Sequence, residues 1–374
     1  MRNNINMKKM SLFLIIIFIA FSLFVSSGNK EQKVEFVAVG DNIIHTAVYN
    51  DAYEDGKYNF EKMYENVRPI IKSADISFIN QETICSPYAP SGYPLFSTPD
   101  DIAKSLKNVG FNVVNISNNH MLDMDTQKTG GGYAHSIDLW QNSGLTLIGG
   151  YKTEEEAHKG KTIEKNGIKI TFLSYTYGTN VTLEENTTPY VAYMDKDTII
   201  SDLQNAKKSA DCVILSLHWG EENATEPSSE QRSLAKVFAE NGADVILGHH
   251  SHIVQDIEYV STTRGKTLVA YSLGNFLSAQ TKMENLVGGI LKFTVIKEKS
   301  GISVDNSEFI PTVCHYIQDE TKKIDLRKNI KIYLLKDYTK ELSLAHGAND
   351  YYPFDLDLLY ANCKGAHLSI SLSE

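Results

Sequence analysis

The sequence predicts an α/β fold in which helices cover both faces of a central sheet. Short apolar segments alternate with segments whose apolar residues recur at helical spacing, and polar or glycine-containing turns separate the two kinds. Gly110 and Gly144 close two of the helical segments, as glycine commonly does at helix ends. Strands that alternate with helices along a chain are typical of sheets packed between helices.

The predicted elements begin with a strand at 34–41 (VEFVAVGD) and a helical segment at 60–74, which Pro69 interrupts. The later predictions, in chain order, are a strand at 75–82, a helix at 101–110, a strand at 112–120, a helix at 133–144, strands at 167–177 and 212–219, a helix at 231–242 and a strand at 244–252. The recurring order of strand and helix supports the α/β prediction.

The pattern changes after about residue 256. The segments 266–274, 288–298 and 301–311 have the composition of consecutive strands separated by turn residues, which predicts an antiparallel meander. Residues 312–374 are weakly patterned and end in a polar tail. We therefore predict a main domain at 34–310 and a C-terminal extension at 311–374, for which the sequence indicates no particular fold.

Residues 1–29 carry the pattern of an export signal. Two lysines precede the apolar run LFLIIIFIAFSLFV at 12–25, and three small residues follow it. The run is short for a spanning helix, which needs about 20 apolar residues. The pattern predicts an exported protein, either secreted after cleavage of a signal peptide or held at the outer face of the cytoplasmic membrane by an N-terminal membrane anchor.

Composition argues against a nucleic-acid partner, because the 374 residues carry a formal net charge of −10 and no basic stripe. An anionic ligand remains compatible, since a bound cation reverses the local field. The four cysteines match no zinc-binding or redox spacing. Cys212 is predicted to be a buried thiol, whereas Cys314 and Cys363 either form a disulfide or stay reduced.

Polar side chains that can bind metal follow five of the predicted strands. They are Asp41, Asn80, Glu82, Asn118, Asn119, His120, His218, His250 and His252. In an open α/β sheet, ligands bind in the crevice beyond the carboxyl ends of the strands. Each residue alone could instead be a helix cap, a turn residue or a solvated strand end. Together they form a mixed nitrogen and oxygen set that suits Mn, Fe, Zn or Mg, and they predict a divalent metal site.

The stretch GHHSH at 248–252 holds three of the eleven histidines. If the strand continues past Gly248, which we expect to let the chain turn, His250 and His252 point to one face and His249 to the other. The two Cα atoms would then lie about 6–7 Å apart, close enough for both rings to reach one ion or two neighbouring ions. The alternative is a polar loop tip.

Six blocks of sequence occur in a fixed order: GD at 40–41, FINQET at 78–83, NNHMLD at 118–123, HWG at 218–220, GHHSH at 248–252 and YSLGNF at 271–276. Together they resemble the bacterial CapA family, which comprises capsule-synthesis proteins associated with poly-γ-glutamate. The resemblance covers residues 34 to 280. Asn275, in the last block, is either a hydrogen-bond partner of the predicted site or a turn asparagine.

The CapA family looks like a branch of the calcineurin-like metallophosphoesterases. The resemblance therefore implies that residues 34–310 form a CapA-like, metallophosphoesterase-type domain with a four-layer α/β/β/α sandwich. It implies metal ligands at Asp41, Glu82, Asn119, His218, His250 and His252. It also implies that His120 acts as an acid or a phosphate contact, and Asp123, three residues on, is placed to orient that ring.

Two departures from the superfamily pattern limit the metal count. The first block is D-x-H in the superfamily, but Ile43 occupies the histidine position here, and His45 lies two residues too far along. Glu82 stands where the bridging ligand is usually aspartate. At least one divalent ion is therefore expected, and a second is left open.

These features predict an exported protein of capsule (poly-γ-glutamate) biosynthesis or processing, with a metal-dependent hydrolase-type site that acts on a phosphoester or an amide. One alternative is a non-catalytic, metal-binding component of a capsule polymer assembly or export complex. Another is a metallophosphoesterase that acts on a different cell-envelope substrate. The expected partners are an anionic cell-envelope or capsule polymer and membrane-associated capsule-synthesis proteins.

Overall fold

The computed structural model describes residues 32–126, 128–182, 189–299, 301–365 and 371–372. The predicted signal or anchor at 1–29 lies outside these residues. The architecture is α/β, as the sequence predicts, but its strands form two large sheets and a small two-stranded one. No helix within the described ranges combines the length and the apolar character needed to span a membrane.

The strands are numbered in chain order: β1 Gln32–Asn42, β2 Tyr53–Glu54, β3 Lys57–Tyr58, β4 Ile76–Gln81, β5 Val113–Asn115, β6 Thr146–Ile148, β7 Lys161–Lys165, β8 Ile168–Thr176, β9 Cys212–His218, β10 Val245–His249, β11 Ile257–Thr262, β12 Gly265–Ala270, β13 Asn275–Leu277, β14 Val287–Glu298, β15 Gly301–Ile317, β16 Lys328–Leu334 and β17 Ser371–Leu372.

The first sheet has the strand order β16-β15-β14-β1-β4-β5-β6, with β13 paired to β1 and β17 paired to β15. The neighbours β1, β4, β5 and β6 run parallel, while β15 is antiparallel to both of its neighbours, β14 and β16. The second sheet has the order β11-β12-β10-β9-β8-β7, in which β8, β9, β10 and β12 are parallel. Parallel strands require crossover connections, which helices supply here.

The α-helices are Thr46–Ala52, Arg68–Ser73, Asp101–Val109, Gly132–Ser143, Glu154–Lys159, Lys196–Ala206, Ser229–Asn241, Lys340–Ala345 and Leu356–Gly365. The helical segment predicted at 60–74 is divided into a 3-10 turn at Glu61–Tyr64 and the short helix Arg68–Ser73. Pro69 lies in the first turn of that helix, where a missing N–H breaks no helical hydrogen bond.

The second sheet is buried on both faces. Ile170 and Phe172 of β8 belong to the same hydrophobic core as Phe78 of the first sheet. Leu173, the next residue along β8, belongs to a second core with Phe238 of helix Ser229–Asn241. Alternate residues of one strand thus face different cores, as the side-chain period of two requires. The four-layer count implied by the family resemblance remains a prediction.

Three predicted strands differ from the structure. The strand predicted at 112–120 ends at Asn115, and the strand predicted at 244–252 ends at His249. The segment at 266–274 does not join a meander with its successors, since β12 pairs parallel to β10 in the second sheet. The segments at 288–298 and 301–311 do pair with each other, as the antiparallel strands β14 and β15 of the first sheet.

The prediction that the chain turns at Gly248 is wrong. Gly248 lies inside β10. A Cβ atom at this position would stand 1.9 Å from the carbonyl oxygen of Tyr271 and 2.6 Å from Nε1 of Trp219. Glycine is required there because backbone and indole approach too closely for any side chain.

The C-terminal segment is continuous with the first sheet. Strand β15 crosses the predicted boundary at residue 310, and β16 extends the same sheet to Leu334. Cys314 is a free, buried thiol in β15, and Cys85 and Cys212 are also free and buried. The side chain of Cys363 lies outside the described residues.

Candidate metal centre

The carboxyl ends of both large sheets meet at Asp41. Strand register places Asp41 of β1 opposite Asn80 of β4, and His218 of β9 opposite His249 of β10. The backbone N–H of His250, directly after β10, donates to Oδ2 of Asp41 at 3.3 Å. Side chains from separate strands thus meet in one crevice, as the sequence predicts.

Asp41, Glu82 and His218 each offer a ligand atom, and these atoms lie within 4.8 Å of one another. All three residues are at most 1% exposed. Two carboxylates and an imidazole at this separation form a nitrogen and oxygen ligand set for a divalent cation. This group is therefore able to bind a metal ion.

Several polar atoms of the centre lack hydrogen-bond partners among the described residues. Neither carboxyl oxygen of Glu82 has a hydrogen-bond partner among the described residues, and Nδ1 of His218 and Nδ1 of His250 also have none. A buried, unpaired polar atom costs free energy unless another group satisfies it. A cation bound at this centre would satisfy such atoms.

Asn275 sets the orientation of His252. Nδ1 of His252 lies 3.0 Å from Oδ1 of Asn275, so Nδ1–H is the donor in this pair. Nε2, the other ring nitrogen, lies 3.7 Å from Oε1 of Glu82. An imidazole that donates from one nitrogen is prepared to bind metal through the other, which is a common arrangement at metal sites.

Asn119 adjoins His218. Oδ1 of Asn119 lies 2.9 Å from Nε2 of His218, and Nδ2 of Asn119 donates to Oδ1 of Asn180 at 3.4 Å. The amide oxygen of Asn119 therefore faces the centre while its nitrogen faces away. Asn119 can supply a neutral oxygen ligand beside the Asp41, Glu82 and His218 group.

His250 reaches the centre by a different geometry from the one predicted. The strand does not continue past His249, and both His250 (φ 98°) and His252 (φ 61°) have left-handed backbone conformations. The ring of His250 lies 4.7 Å from that of His218 and 4.5 Å from that of Tyr177. Non-glycine residues held at positive φ are uncommon and concentrate at functional sites.

His249 is a neighbour of the centre, as expected from its place in the strand. Its Nδ1 lies 3.5 Å from Oδ1 of Asp41, and its ring stacks on Phe78 with centroids 5.7 Å apart. The same oxygen of Asp41 accepts a hydrogen bond from Nδ2 of Asn80 at 2.8 Å. Asp41 is thus oriented from both sheets.

A buried amide chain lies behind Asp41. Asn115 donates to Oδ1 of Asn80 at 2.8 Å, and the hydroxyl of Ser174 donates to Oδ1 of Asn115 at 2.6 Å. The chain fixes the orientation of the Asn80 amide, because its Nδ2 donates to Asp41 and its Oδ1 accepts from Asn115. Asn115 and Ser174 were not predicted from the sequence, since neither stands at a predicted strand end.

The pKa values of the two carboxyl groups, Asp41 and Glu82, shift in opposite directions. Burial alone would raise the pKa of Asp41, but hydrogen bonds and charge attraction from His249 and His252 hold that pKa well below its usual value. Burial raises the pKa of Glu82 well above its usual range, and the charges of Asp41 and Glu222 add to the effect against the attraction of His252.

The histidines divide in the same way. Burial alone lowers the pKa of His252, but the negative charges of Glu82 and Asp41 raise it to about 9. Burial and the charge of His252 lower the pKa of His250 to about 4. Burial and His250 hold the pKa of His218 well below its usual value. Because the pKa values of Glu82 and His252 are both raised, metal binding at this centre would have to displace protons.

His45 does not replace the histidine that is missing at Ile43. Its Nδ1 accepts a hydrogen bond from the backbone N–H of Ala279 at 3.2 Å. Burial and the charge of His252 lower the pKa of His45 to about 3, so the ring is neutral and its proton lies on Nε2. With one nitrogen occupied and the other protonated, His45 is a donor rather than a metal ligand.

His120 and Asp123 form a buried pair beside the centre. Nδ1 of His120 lies 2.8 Å from Oδ2 of Asp123, and the same oxygen accepts from the backbone N–H of Phe96 at 2.8 Å. Nδ2 of Asn180 lies 3.2 Å from Nδ1 and 3.4 Å from Nε2 of His120. Burial raises the pKa of Asp123 above its usual value, although His120 opposes the shift.

The structure brings all eight residues predicted for the site into one neighbourhood, and their roles stay predictions. Asn180 and Tyr177 were missed. Both follow strand β8 in the stretch YTYGTN, and a search for polar residues after every predicted strand would have found Asn180.

The sequence model of the family described as bacterial capsule synthesis protein PGA_cap matches residues 35–280. This chain belongs to that family. The PGA biosynthesis protein CapA of Bacillus subtilis (strain 168) is 27% identical over 358 residues, which cover 91% of this chain and 90% of the relative. The capsule biosynthesis protein CapA of Bacillus anthracis is 27% identical over 67% of this chain and 61% of the relative. The predicted resemblance to CapA is confirmed.

Among solved structures, this PGA_cap protein is similar to a putative 5'-nucleotidase from Staphylococcus aureus in complex with alpha-ketoglutarate. The TM-score is 0.46 and the sequence identity is 12%, over 77% of this chain and 55% of that chain.

Proposed function

We propose that this CapA-like protein is an exported, metal-dependent hydrolase-type enzyme of capsule (poly-γ-glutamate) biosynthesis or processing. The observation that carries the proposal is the buried Asp41, Glu82 and His218 group, in which both carboxyl oxygens of Glu82 and Nδ1 of His218 lack partners among the described residues and which adjoins the His120 and Asp123 pair. A buried ligand set beside an oriented histidine is what metal-assisted hydrolysis requires.

Asp41, Glu82 and His218 would hold the cation, with Asn119, His250 and His252 beside them. When bound, a divalent cation supplies Lewis acidity, which polarises a carbonyl or phosphoryl oxygen and makes water more nucleophilic at neutral pH. The oxygen and imidazole ligands favour Mn, Fe, Zn or Mg over metals that prefer thiolates.

His120 supplies the proton transfer in this proposal. Because Nδ1–H donates to Oδ2 of Asp123, Nε2 is the nitrogen that can give or take a proton at the substrate. Asp123 holds the ring in this tautomer, and Nδ2 of Asn180 also contacts the ring. The leaving group would receive its proton from Nε2 of His120.

The substrate proposed is an anionic polymer of the capsule or cell envelope, cleaved at an amide or a phosphoester. The names of the two Bacillus relatives refer to PGA biosynthesis and capsule biosynthesis, which favours poly-γ-glutamate as the substrate. The net charge of −10 supports recognition of a polyanion through the cation rather than through a basic surface. The sequence pattern of residues 1–29 supports export and membrane-associated capsule-synthesis partners.

The test is to assay the full-length protein, supplied with Mn²⁺ or Zn²⁺, against poly-γ-glutamate and against model phosphomonoesters and phosphodiesters. Turnover that is lost in Asp41→Asn and His120→Gln would support the proposal. His135→Gln is the matched control, because His135 also pairs with a carboxylate, Asp100, at 3.0 Å but lies outside the centre.

Metal binding without turnover on any of these substrates would contradict the enzymatic proposal. That result would favour the alternative of a metal-binding component in a polymer assembly or export complex. Turnover of phosphoesters alone would favour a metallophosphoesterase with another cell-envelope substrate.

A further inference from the structure

The segment 278–280, which follows β13, is held by side chains from the C-terminal part of the chain. Its three consecutive carbonyl groups accept hydrogen bonds, in chain order, from Sγ of Cys314 at 2.9 Å, from Nη1 of Arg327 and from the hydroxyl of Tyr316 at 3.1 Å. The backbone of this segment is therefore fixed by residues that lie beyond the family match at 35–280.

The same segment contacts the metal centre. The N–H of Ala279 donates to Nδ1 of His45 at 3.2 Å. Oε1 of Gln280 accepts from Nδ2 of Asn275 at 2.9 Å, and Oδ1 of Asn275 lies 3.0 Å from Nδ1 of His252. Segment 278–280 thus contacts His45 directly and His252 through Asn275.

Arg327 is the costliest of the three donors to bury. It is 1% exposed, and it forms no ion pair with any carboxylate that the structure describes. Its guanidinium lies 4.4 Å from the centre of the Tyr316 ring, Nε donates to Oε1 of Gln318 at 3.3 Å, and Nη2 has no partner. Burying a charge without an ion-pair partner costs free energy, so the hydrogen bond from Arg327 to the carbonyl of Ala279 is made at a cost in stability.

We infer that Arg327 is a positioning residue of the metal centre, which acts through segment 278–280 to fix the rings of His45 and His252. The inference rests on the proposed metal site and extends it to a part of the chain outside the family match. Residues that orient ligands from behind commonly change metal affinity by about 10- to 100-fold when they are removed. Arg327 would do so without contacting a ligand itself.

The test compares wild type with Arg327→Met, Arg327→Lys and Tyr316→Phe in the full-length protein. Imidazole ¹⁵N NMR of the metal-free protein reports the tautomer of His45, assigned with His45→Gln. Isothermal titration with Mn²⁺ and Zn²⁺ reports affinity. We expect a single Nε2–H tautomer of His45 in wild type, a mixture in Arg327→Met with about 10- to 100-fold weaker metal binding, and partial recovery in Arg327→Lys.

Arg264→Met is the control, because Arg264 also donates to a backbone carbonyl, that of Ala239 at 2.9 Å, but at a distant edge of the second sheet. It should lose stability without changing the His45 tautomer or metal affinity. If Arg327→Met does not fold, Tyr316→Phe removes one hydroxyl that contacts the same segment and should shift the tautomer less.

An unchanged His45 spectrum in both Arg327→Met and Tyr316→Phe would overturn the inference. A wild type that binds no metal would overturn the proposed function, while the NMR result would still decide the positioning role.

Discussion

Oδ1 of Asn275 lies 3.0 Å from Nδ1 of His252, and both amide protons of Asn275 are already engaged by Oε1 of Gln280 and the carbonyl of Asn285. The amide can therefore present only its oxygen to the ring. His252 must donate from Nδ1, which leaves Nε2 directed toward the side of Glu82. Asn275, together with Oδ2 of Asp41 at 3.4 Å from the same nitrogen, thus favours Nε2 as the nitrogen of His252 that is available to a metal.

Replacing Asn275 with leucine is expected to weaken binding of Mn²⁺ or Zn²⁺ by about 10- to 100-fold, because His252 loses the acceptor that orients it. Isothermal titration measures the affinity. Asn142→Leu changes an exposed asparagine on helix Gly132–Ser143 and should leave affinity unchanged. Equal affinities for the two variants would show that Asn275 does not orient the ligand.

Metal binding is expected to release protons and to strengthen with rising pH. The pKa of His252 is raised to about 9 by Glu82 and Asp41, so the ring is protonated near neutral pH and must lose that proton to bind metal. The affinity should rise by up to about tenfold per pH unit below pH 9, for one proton released. Titration in two buffers of different ionisation enthalpy measures the proton count. His252→Gln should release fewer protons, and an affinity independent of pH between 6 and 8 would contradict the assignment.

Asp123→Asn is expected to lower turnover by about 10²- to 10⁴-fold while metal affinity stays within about twofold. The change removes the negative charge beside the ring of His120 but keeps an oxygen for the N–H of Phe96. Steady-state rates and metal titration on the same preparation separate the two effects. Asp100→Asn, in the more exposed pair with His135, is the control. Equal rates for wild type and Asp123→Asn would remove the pair from the mechanism.

Gly248→Ala is expected to lower the free energy of unfolding by about 1–3 kcal/mol, because the added Cβ would stand 1.9 Å from the carbonyl of Tyr271. Urea denaturation measures the change. Gly130→Ala places a methyl group where no atom lies within 4 Å and should be close to neutral. If the two variants have the same stability, β10 does not pack against Tyr271 as described.

The sequence predicted that these residues lie close together because each stands at or shortly after the carboxyl end of a strand. Parallel strands bring their carboxyl ends to one place, so Asp41 and His218 meet although they are 177 positions apart in the chain. Each strand end can be recognised from a short stretch of sequence, although the residues that meet there are far apart in the chain. The family resemblance then assigned roles that strand position alone left open.

Other features depend on contacts that a single sequence does not display. The left-handed backbone at His250 and His252 breaks the alternation expected of a strand, and it arises where β10 meets the end of the first sheet. Ser174 and Asn115 look like ordinary strand residues, yet side-chain hydrogen bonds connect them to Asp41 through Asn80. Arg327 lies in a weakly patterned segment, and its contact with Ala279 spans 48 positions of the chain.

The central claim is that Asp41, Glu82 and His218 bind a divalent metal. Elemental analysis of gently purified protein, followed by titration with Mn²⁺ and Zn²⁺, tests it most directly, with His218→Ala and His135→Ala measured beside wild type. We expect at least one equivalent of metal per chain in wild type and in His135→Ala, and strong loss in His218→Ala. A wild-type protein that contains no metal and binds neither ion would contradict the account.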